Sequence, residues 1–301
     1  MRIVFLGTSG GMPTKKRGLP SIAVRLRSSL LLLDCGEGTQ RQFINAGIGT
    51  KPSFHIFLTH LHGDHVLGVP GLLFTLSMNG RKQDVHVYGP PNTADFLKAV
   101  LRPHLGALTF KTIVNEMEPG DSVKIDNVTV SCFKTDHTAF SLGYVLKEDD
   151  RPGRMKTEFL DSLKVPRGPL WGKLQRGTAV EFGGRVITPD EAVEPPRPGR
   201  KIVYTGDTRP CESVVENSRG ADVLIHDSTF EASLRQKAFE EGHSTAEDAA
   251  KNAAKAAVKR LYLFHISPRY EETDSLLIEA RSIFPESYIA EDLHSYSVPY
   301  P

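Results

Sequence analysis

The stretch FLTHLHGDHVLG, residues 57–68, packs three histidines and an aspartate into six positions: His60, His62, Asp64 and His65. It directly follows the apolar run from Phe54 to Leu58. Neutral imidazole and carboxylate are the ligand types that suit a borderline-soft divalent cation. On extended backbone, side chains two apart point the same way, so His60 and His62 can reach one ion. Gly63 permits a turn, after which Asp64 and His65 can face a second point. A lone histidine reads as a surface group or a satisfied core-edge group. Four groups at this spacing after a strand read as a metal site. They cannot complete two sites, so further ligands are expected at other strand ends, where loops carry function. His137 follows VTVSCFKTD, Asp207 follows KIVYTG and His265 follows RLYLF. Singly, each is equally a turn residue; together they supply what is missing.

The elements that must position these groups are legible as short β-rich runs. RIVFLG, SIAVRL, LLLLDCG, HIFLTH, VHVYG, VTVSCF and LGYVL are strand candidates in the first half. Helices are expected over Gly38 to Ala46, Val69 to Met78 and Thr93 to Leu101. In the last third KIVYTG, DVLIHD and RLYLFH each precede a helical stretch. The clearest is STAEDAAKNAAKAAVKR, which we read as opened by Ser244 with Glu247 as its capping-box partner. The pattern predicts an α/β class domain with helices packed outside β-sheets.

The chain has 301 residues, 39% apolar, and a net charge of +1. That supports a substantial core and gives no average sign of a polyanion partner. Cys35, Cys132 and Cys211 are far apart and odd in number, which argues for buried free thiols rather than a disulfide framework or thiolate metal site. We find no secretory leader and no run long enough to cross a bilayer, so a cytoplasmic location and no membrane partner are expected. Residues 151–200 differ from the rest, with seven prolines and seven glycines. Within them, 151–177 carries seven Lys/Arg (Arg151, Arg154, Lys156, Lys164, Arg167, Lys173, Arg176) against Glu158 and Asp161. One reading is a loose linker; the other is a basic arm that grips a polyanion. Trp171, the only tryptophan, either stacks on a base or packs the arm against itself.

The ordered set His60, His62, Asp64, His65, His137, Asp207 in GDT, and His265 resembles the metallo-β-lactamase superfamily over nearly the whole chain. That resemblance implies an αββα sandwich over 1–301 with two Zn2+ per subunit at one edge. It implies that His60, His62 and His137 hold the first ion, that Asp64, His65 and His265 hold the second, and that Asp207 bridges them. Asp34 in LLDCGEGTQRQ matches a position that orients a ligand histidine, with a turn or cap role as its alternative. The motifs GTSGGMPTKKRG, LLDCGEGTQRQ, GPLWGKLQRG, GDT, HDSTF, GHSTAEDAA and FHISPRY further resemble short-form ribonuclease Z, the tRNA 3′-processing endonuclease family. The resemblance then implies precursor tRNA as substrate, a homodimer, and an inserted tRNA-holding arm at about 151–197. The family usually has glutamate where this chain has Asp227.

Two adjacent cations can activate a water for in-line attack on a phosphodiester and neutralise its oxygens. Asp64 would hold the nucleophile. The leaving ribose oxygen needs a proton, for which His243, oriented by Asp227, is the candidate; alone, His243 reads as a helix-start residue. This route leaves a 3′-hydroxyl on the tRNA and a 5′-phosphate on the trailer. Lys15, Lys16, Arg17 and Arg269, with Lys164, Arg167, Lys173 and Arg176 of the arm, are RNA-contact candidates whose plain alternative is solvated surface. A small-ester hydrolase would need neither the basic arm nor HDSTF and GHS. A di-iron redox protein would favour a carboxylate at His62. A non-catalytic RNA-binding subunit sits badly with seven intact ligand positions. His55 and His86 are read as strand residues, His104 as following Pro103, His226 as supporting the site's geometry, and His294 as without a role.

Overall fold

The computed structural model describes residues 1–49, 52–101 and 106–301. His104 lies outside the described residues. Among the described residues there are two seven-stranded sheets and one hairpin. The first sheet holds β1 (Arg2–Gly7), β2 (Ser21–Arg25), β3 (Ser29–Leu33), β4 (Ser53–Phe57), β5 (Val85–Gly89) and β6 (Thr112–Glu116), with β16 (Ser295–Ser297) on its edge beside β1. The second holds β7 (Ser122–Ile125), β8 (Val128–Lys134), β9 (Leu142–Glu148), β12 (Lys201–Tyr204), β13 (Val223–Asp227), β14 (Leu261–Phe264) and β15 (Ser287–Ile289). In both, parallel pairing (β3 to β6, β12 to β15) alternates strand and helix, as parallel crossovers require.

Three buried clusters define the layering. Ile3, Phe5, Leu31 and Phe57 of the first sheet meet Val130, Tyr144, Ile202 and Tyr262 of the second between the two sheets. On the outer face of the first sheet, Leu30, Leu32, Phe54 and Ile56 pack on residues of α1 (Thr39–Asn45), α3 (Gly68–Met78) and α4 (Thr93–Val100), and Val66 of the short α2 (Gly63–Val66) joins them. The outer face of the second packs on α8 (Glu212–Ser218), α10 (Ala246–Lys255) and α11 (Asp274–Ile283) through Val214, Ala249, Ala253 and Leu276. These are the four layers, helix, sheet, sheet, helix, that the family resemblance implied. Strands β6, β7, β15 and β16 were not anticipated; they are short and partly exposed, so they lack a strong apolar run.

The alanine-rich helix differs in register from our reading. Its N-cap is Thr245, whose hydroxyl accepts the Asp248 N–H at 3.2 Å while the Asp248 carboxylate accepts the Thr245 N–H at 3.2 Å. Ser244 is buried and donates to the Thr208 carbonyl instead. Glu247 pairs with Arg235 and Lys251. The helix also stops at Lys255, because Ala257 turns into the left-handed region (φ 49°) and delivers buried Val258 toward β14. Of the cysteines, Cys35 and Cys132 are buried, but Cys211 is only half-buried.

A second compact unit comprises Glu148–Arg200 with Tyr300–Pro301. It is folded, not a loose linker. It contains α5 (Thr157–Ser162), α6 (Pro169–Gln175), the hairpin of β10 (Val180–Phe182) and β11 (Arg185–Ile187), and α7 (Pro189–Ala192). Leu160, Val165, Leu174, Val180, Ile187 and Ala192 form its own core. Trp171 is half-buried against that core and donates its indole N–H to the Val165 carbonyl at 3.2 Å, so it packs the unit against itself. At its base Glu148 and Arg200 pair at 2.7 Å. Lys164, Arg167, Lys173 and Arg176 are exposed, with Arg167 3.6 Å from Asp161.

Candidate metal centre and active site

Four loops at the ends of central strands converge. After β4 the backbone N–H of Thr59 donates to Asp34 at 2.8 Å, and His60 follows, buried. His62 is extended (φ −65°, ψ 147°) and stands at the N-cap of α2, whose first turn presents Asp64 and His65. His137 lies on the loop after β8, which is closed by a Thr135–Ser141 hydroxyl pair at 2.6 Å. Asp207 follows β12 through Gly206, where φ is +59° and a Cβ would stand 2.7 Å from Thr59. His265 follows β14 and itself adopts φ 61°, uncommon outside glycine. Its ring packs on Gly10, where a Cβ would fall 2.5 Å from the imidazole.

The donor atoms of His60, His62 and His137 lie within 4.8 Å of one another, and so do those of Asp64, His65 and His265. Asp207 Oδ2 sits between the two groups, 3.8 Å from His60 Nε2 and 3.3 Å from both His65 Nε2 and His265 Nε2. All seven sequence-derived candidates are therefore brought together. Among the described residues, His60 Nε2, His65 Nε2 and Asp207 Oδ1 are buried without a hydrogen-bond partner. Unpaired buried polar atoms are costly, and three of them on His60, His65 and Asp207, residues whose donor atoms converge, are what a divalent cation would satisfy. The donor set thus fits a metal.

Each inner histidine is oriented from behind, which fixes which ring nitrogen faces the centre. His65 Nδ1 is 2.8 Å from Asp34, and Asp34 also accepts the Tyr204 hydroxyl at 2.7 Å. His60 Nδ1 meets the Thr59 hydroxyl at 3.0 Å, His265 Nδ1 the Thr229 hydroxyl at 2.9 Å, and His137 Nδ1 the Gly242 carbonyl at 2.8 Å. Burial and the neighbouring His65 hold His60 well below the ordinary imidazole range, hence neutral. Burial works against ionised Asp207, but the adjacent His265 and His65 outweigh it and hold the carboxyl well below its usual range. For Asp64 too, burial is outweighed by the His265 hydrogen bond and by His65, so its carboxylate is ionised.

Asp227 and His243 meet beside this cluster. His243 Nδ1 is 2.8 Å from Asp227 Oδ2, a direct bond that the aspartate reaches without an intervening water. Asp227 is fixed by the Thr208 N–H at 3.0 Å, the Thr229 N–H at 3.0 Å and the Thr229 hydroxyl at 2.7 Å. Burial lowers the His243 pKa, but the charge and hydrogen bond of Asp227, helped by Asp207, raise it to about 9. His226 is fully buried, bonded to the Asp227 carbonyl at 2.7 Å and Asn252 at 3.0 Å, a supporting role as expected.

The basic candidates near the N-terminus divide. Lys15 and Lys16 are exposed, and Lys16 pairs with Glu272 at 2.9 Å. Arg17, in contrast, commits its guanidinium to the fold, donating to the Thr8 hydroxyl at 2.7 Å and the Ala290 carbonyl at 2.5 Å. Arg269 donates to the Ser267 hydroxyl at 2.9 Å and lies over the Phe230 ring. Sequence reasoning missed the groups that seat this loop. The Gly11 N–H donates to Asp64 Oδ2 at 2.9 Å. Asp292, from the far end of the chain, accepts the Gly18 N–H at 2.7 Å, the Thr8 hydroxyl at 2.8 Å and the Gln42 amide at 2.9 Å. The paired glycines were a signal for Gly11; nothing local marks Asp292, Tyr204 or Thr229.

Over 303 residues the chain is 45% identical to ribonuclease Z of Methanosarcina acetivorans, covering 100% of this chain and 99% of that one. The chain belongs to the ribonuclease Z family. Ribonuclease Z of Methanothermobacter thermautotrophicus is 44% identical, with 99% of this chain and 97% of that one covered. The crystal structure of human tRNase Z, short form, superposes with a TM-score of 0.73 at 28% identity, covering 99% of this chain and 100% of the other. The family model for the anti-Pycsar protein Apyc1 matches residues 1–151, and that for the beta-lactamase superfamily domain matches residues 191–266. The fold is that of the metallo-β-lactamases. As a ribonuclease Z family member with this fold, the protein is a metal-dependent hydrolytic endoribonuclease.

Proposed function

We propose that the protein removes the 3′ trailer from precursor tRNA in the cytoplasm, with two Zn2+ ions held per subunit. The observation that carries this reading is the set of seven converging donors with three buried atoms left unpaired, His60 Nε2, His65 Nε2 and Asp207 Oδ1. In this reading His60, His62 and His137 would hold one ion and Asp64, His65 and His265 the other, with Asp207 within reach of both groups. Imidazole nitrogen and carboxylate without thiolate is a donor set that zinc accepts. When bound, the ions supply Lewis acidity to water and phosphoryl oxygens.

The chain's own groups do the rest. Asp64, fixed by the Gly11 N–H, offers a carboxylate that orients the attacking water and accepts its proton. His243 keeps a proton at neutral pH because Asp227 stabilises the imidazolium, and it can give that proton to the departing ribose oxygen. Asp34 keeps His65 in a fixed orientation. Attack by water does not use the ribose 2′-hydroxyl as nucleophile, so this mechanism would leave a tRNA 3′-hydroxyl and a trailer 5′-phosphate.

Substrate choice follows backbone shape and charge more than base sequence. The unit Glu148–Arg200 exposes Lys164, Arg167, Lys173 and Arg176, which suit a phosphate backbone. We assign it to holding tRNA, in a homodimer where the arm of one subunit serves the site of the other.

The test is direct. Purified protein is incubated with a tRNA bearing a 3′ trailer, with and without chelator, and both new ends are mapped. Chelator-sensitive cleavage leaving a 3′-hydroxyl and a 5′-phosphate is expected; a 2′,3′-cyclic phosphate rejects the mechanism. Deleting residues 151–177 is expected to abolish this cleavage and to spare hydrolysis of bis(p-nitrophenyl) phosphate. Equal loss of both would make the arm a structural part only.

A further inference from the structure

Beside the His137 loop the surface carries an aromatic ring whose exposure the metal centre does not explain. Phe239, on α9 (Arg235–Glu241), is 59% exposed although it sits one turn before His243. An aromatic face left open beside a site that takes RNA is available for stacking on a base. The ring is held rather than loose. The Arg209 guanidinium lies 5.0 Å from its centroid, and Arg209 Nε donates to the Phe239 carbonyl at 2.6 Å. Arg209 is in turn fixed by Asp136, through Nη1 to the carboxylate at 3.0 Å and through its own N–H to the Asp136 carbonyl at 2.7 Å.

Asp136 adjoins His137 in sequence, and Arg209 lies two residues after Asp207. The helix carrying Phe239 leads into Gly242, whose carbonyl accepts from His137 Nδ1 at 2.8 Å and whose N–H donates to the Phe239 carbonyl at 3.2 Å. A Cβ at Gly242, where φ is +84°, would stand 2.7 Å from His137 Nδ1, so the turn is seated directly on that histidine. Phe239 is thus one hydrogen-bonded turn away from both His137 and His243, backed by a cation that joins the loop after β12, the His137 loop and α9.

The geometry points to Phe239, backed by Arg209, as a stacking platform for one unpaired nucleobase beside the scissile phosphodiester. A rigid aromatic with a free surface and an arginine partner is the way proteins hold single-stranded bases without reading their sequence. A phosphodiester at the metal centre would place the flanking nucleotides over the rim; among the described residues Phe239 and Phe140, the latter under Lys134, are exposed aromatic rings on the His137 side, and of the two Phe239 lies on the turn that also leads to His243. The ligand class is therefore an unpaired purine or pyrimidine of an RNA strand. This inference rests on the RNA-cleaving reading above.

The experiment compares Phe239→Tyr and Phe239→Leu with the unaltered holoenzyme. The substrate is a trailer-bearing precursor tRNA carrying 2-aminopurine at either nucleotide flanking the cut. Fluorescence on mixing and steady-state cleavage are both read, alongside bis(p-nitrophenyl) phosphate hydrolysis. The leucine variant keeps apolar bulk but not the aromatic face. We expect it to lose the stacking quench at one labelled position and to raise KM for the RNA by about 5- to 150-fold relative to its effect on the small diester. The tyrosine variant should retain both quench and KM within about threefold, since it keeps the ring. Equal effects of Phe239→Leu on RNA and small diester would overturn the inference, making the ring a support for the Gly242 turn. So would an unchanged quench. A Phe239-dependent quench without any cleavage of the precursor would instead reject the tRNA-processing reading and leave the platform standing.

Discussion

Asp34 with His65 and Asp227 with His243 are the same bond made in two places. In each, histidine Nδ1 lies 2.8 Å from a carboxylate oxygen, and the carboxylate is buried and held by further donors. Burial lowers the pKa of both imidazoles, and in both the nearby carboxylates outweigh it, so both are raised above the ordinary value. The difference lies on the far side of the ring. His65 is fully buried and its Nε2 faces Asp207 with no hydrogen bond, whereas the His243 side chain is 13% exposed. A raised pKa at His65 means that a cation must displace a proton to bind there. A raised pKa at His243 means that a proton is kept for delivery. One dyad can serve as a ligand mount and the other as an acid, and only access and the facing group separate the two uses.

The largest expected effect comes from removing the first dyad's histidine. His65→Ala should lower cleavage by at least about a thousandfold and leave bound metal below the level of the unaltered chain, measured by elemental analysis. His243→Ala should lower kcat by about 10²- to 10⁴-fold with metal content unchanged. If His243→Ala also loses metal, the two dyads are not functionally distinct and the comparison fails.

The carboxylates sharpen it further. Asp34→Asn is expected to weaken metal affinity about 10- to 100-fold, with activity recovering as zinc is added. Asp227→Asn should not recover with zinc, and its signature is in pH. The acid form of His243 persists until the pH rises through its pKa of about 9, or lower once bound cations repel its charge. The alkaline limb of kcat therefore falls at or below pH 9. Without the Asp227 charge the limb should move to lower pH. A limb that stays in place in Asp227→Asn would remove His243 as the proton donor.

How much of this could be read beforehand follows from where the information sits. His60, His62, Asp64 and His65 are encoded within one loop and one helical turn, so their spacing alone announced them. His137, Asp207 and His265 each stand just beyond a buried strand, a position that apolar runs make visible. The bonds that seat them are not local. Tyr204 reaches Asp34 across 170 residues, and Asp292 reaches Thr8 across 284. Such pairings depend on the two sheets facing each other, which no window of sequence contains. The cap of α10 failed for a different reason: Ser244-x-x-Glu247 and Thr245-x-x-Asp248 both fit the broader Ser/Thr-x-x-Asp/Glu signal. The tie was decided by Ser244 being drawn to Thr208, a tertiary contact. Helices packed outside sheets were legible because helical stretches and strands alternate, while the four-layer order came only as what the family resemblance implied. The compact core of Glu148–Arg200 was hidden by its many prolines and glycines, although Leu160, Leu174 and Ile187 fill it.

The smallest expected effect concerns the length of the second carboxylate. Asp227 is buried and already receives bonds from Thr208, Thr229 and His243 at lengths from 2.7 to 3.0 Å. Glutamate adds one methylene to a site with no slack. Overpacking of that kind costs about 1–3 kcal/mol, which a thermal melt of Asp227→Glu would register as a lower Tm. The charge is retained, so the His243 proton is still stabilised and the alkaline limb should stay where it is. The kcat loss should then be smaller than for Asp227→Asn. If Asp227→Glu instead matched Asp227→Asn in kcat while keeping its limb, the placement of the imidazole, rather than its charge, would be what the second dyad provides. The two dyads would then resemble each other more closely than their surroundings suggest, both acting by aiming a ring.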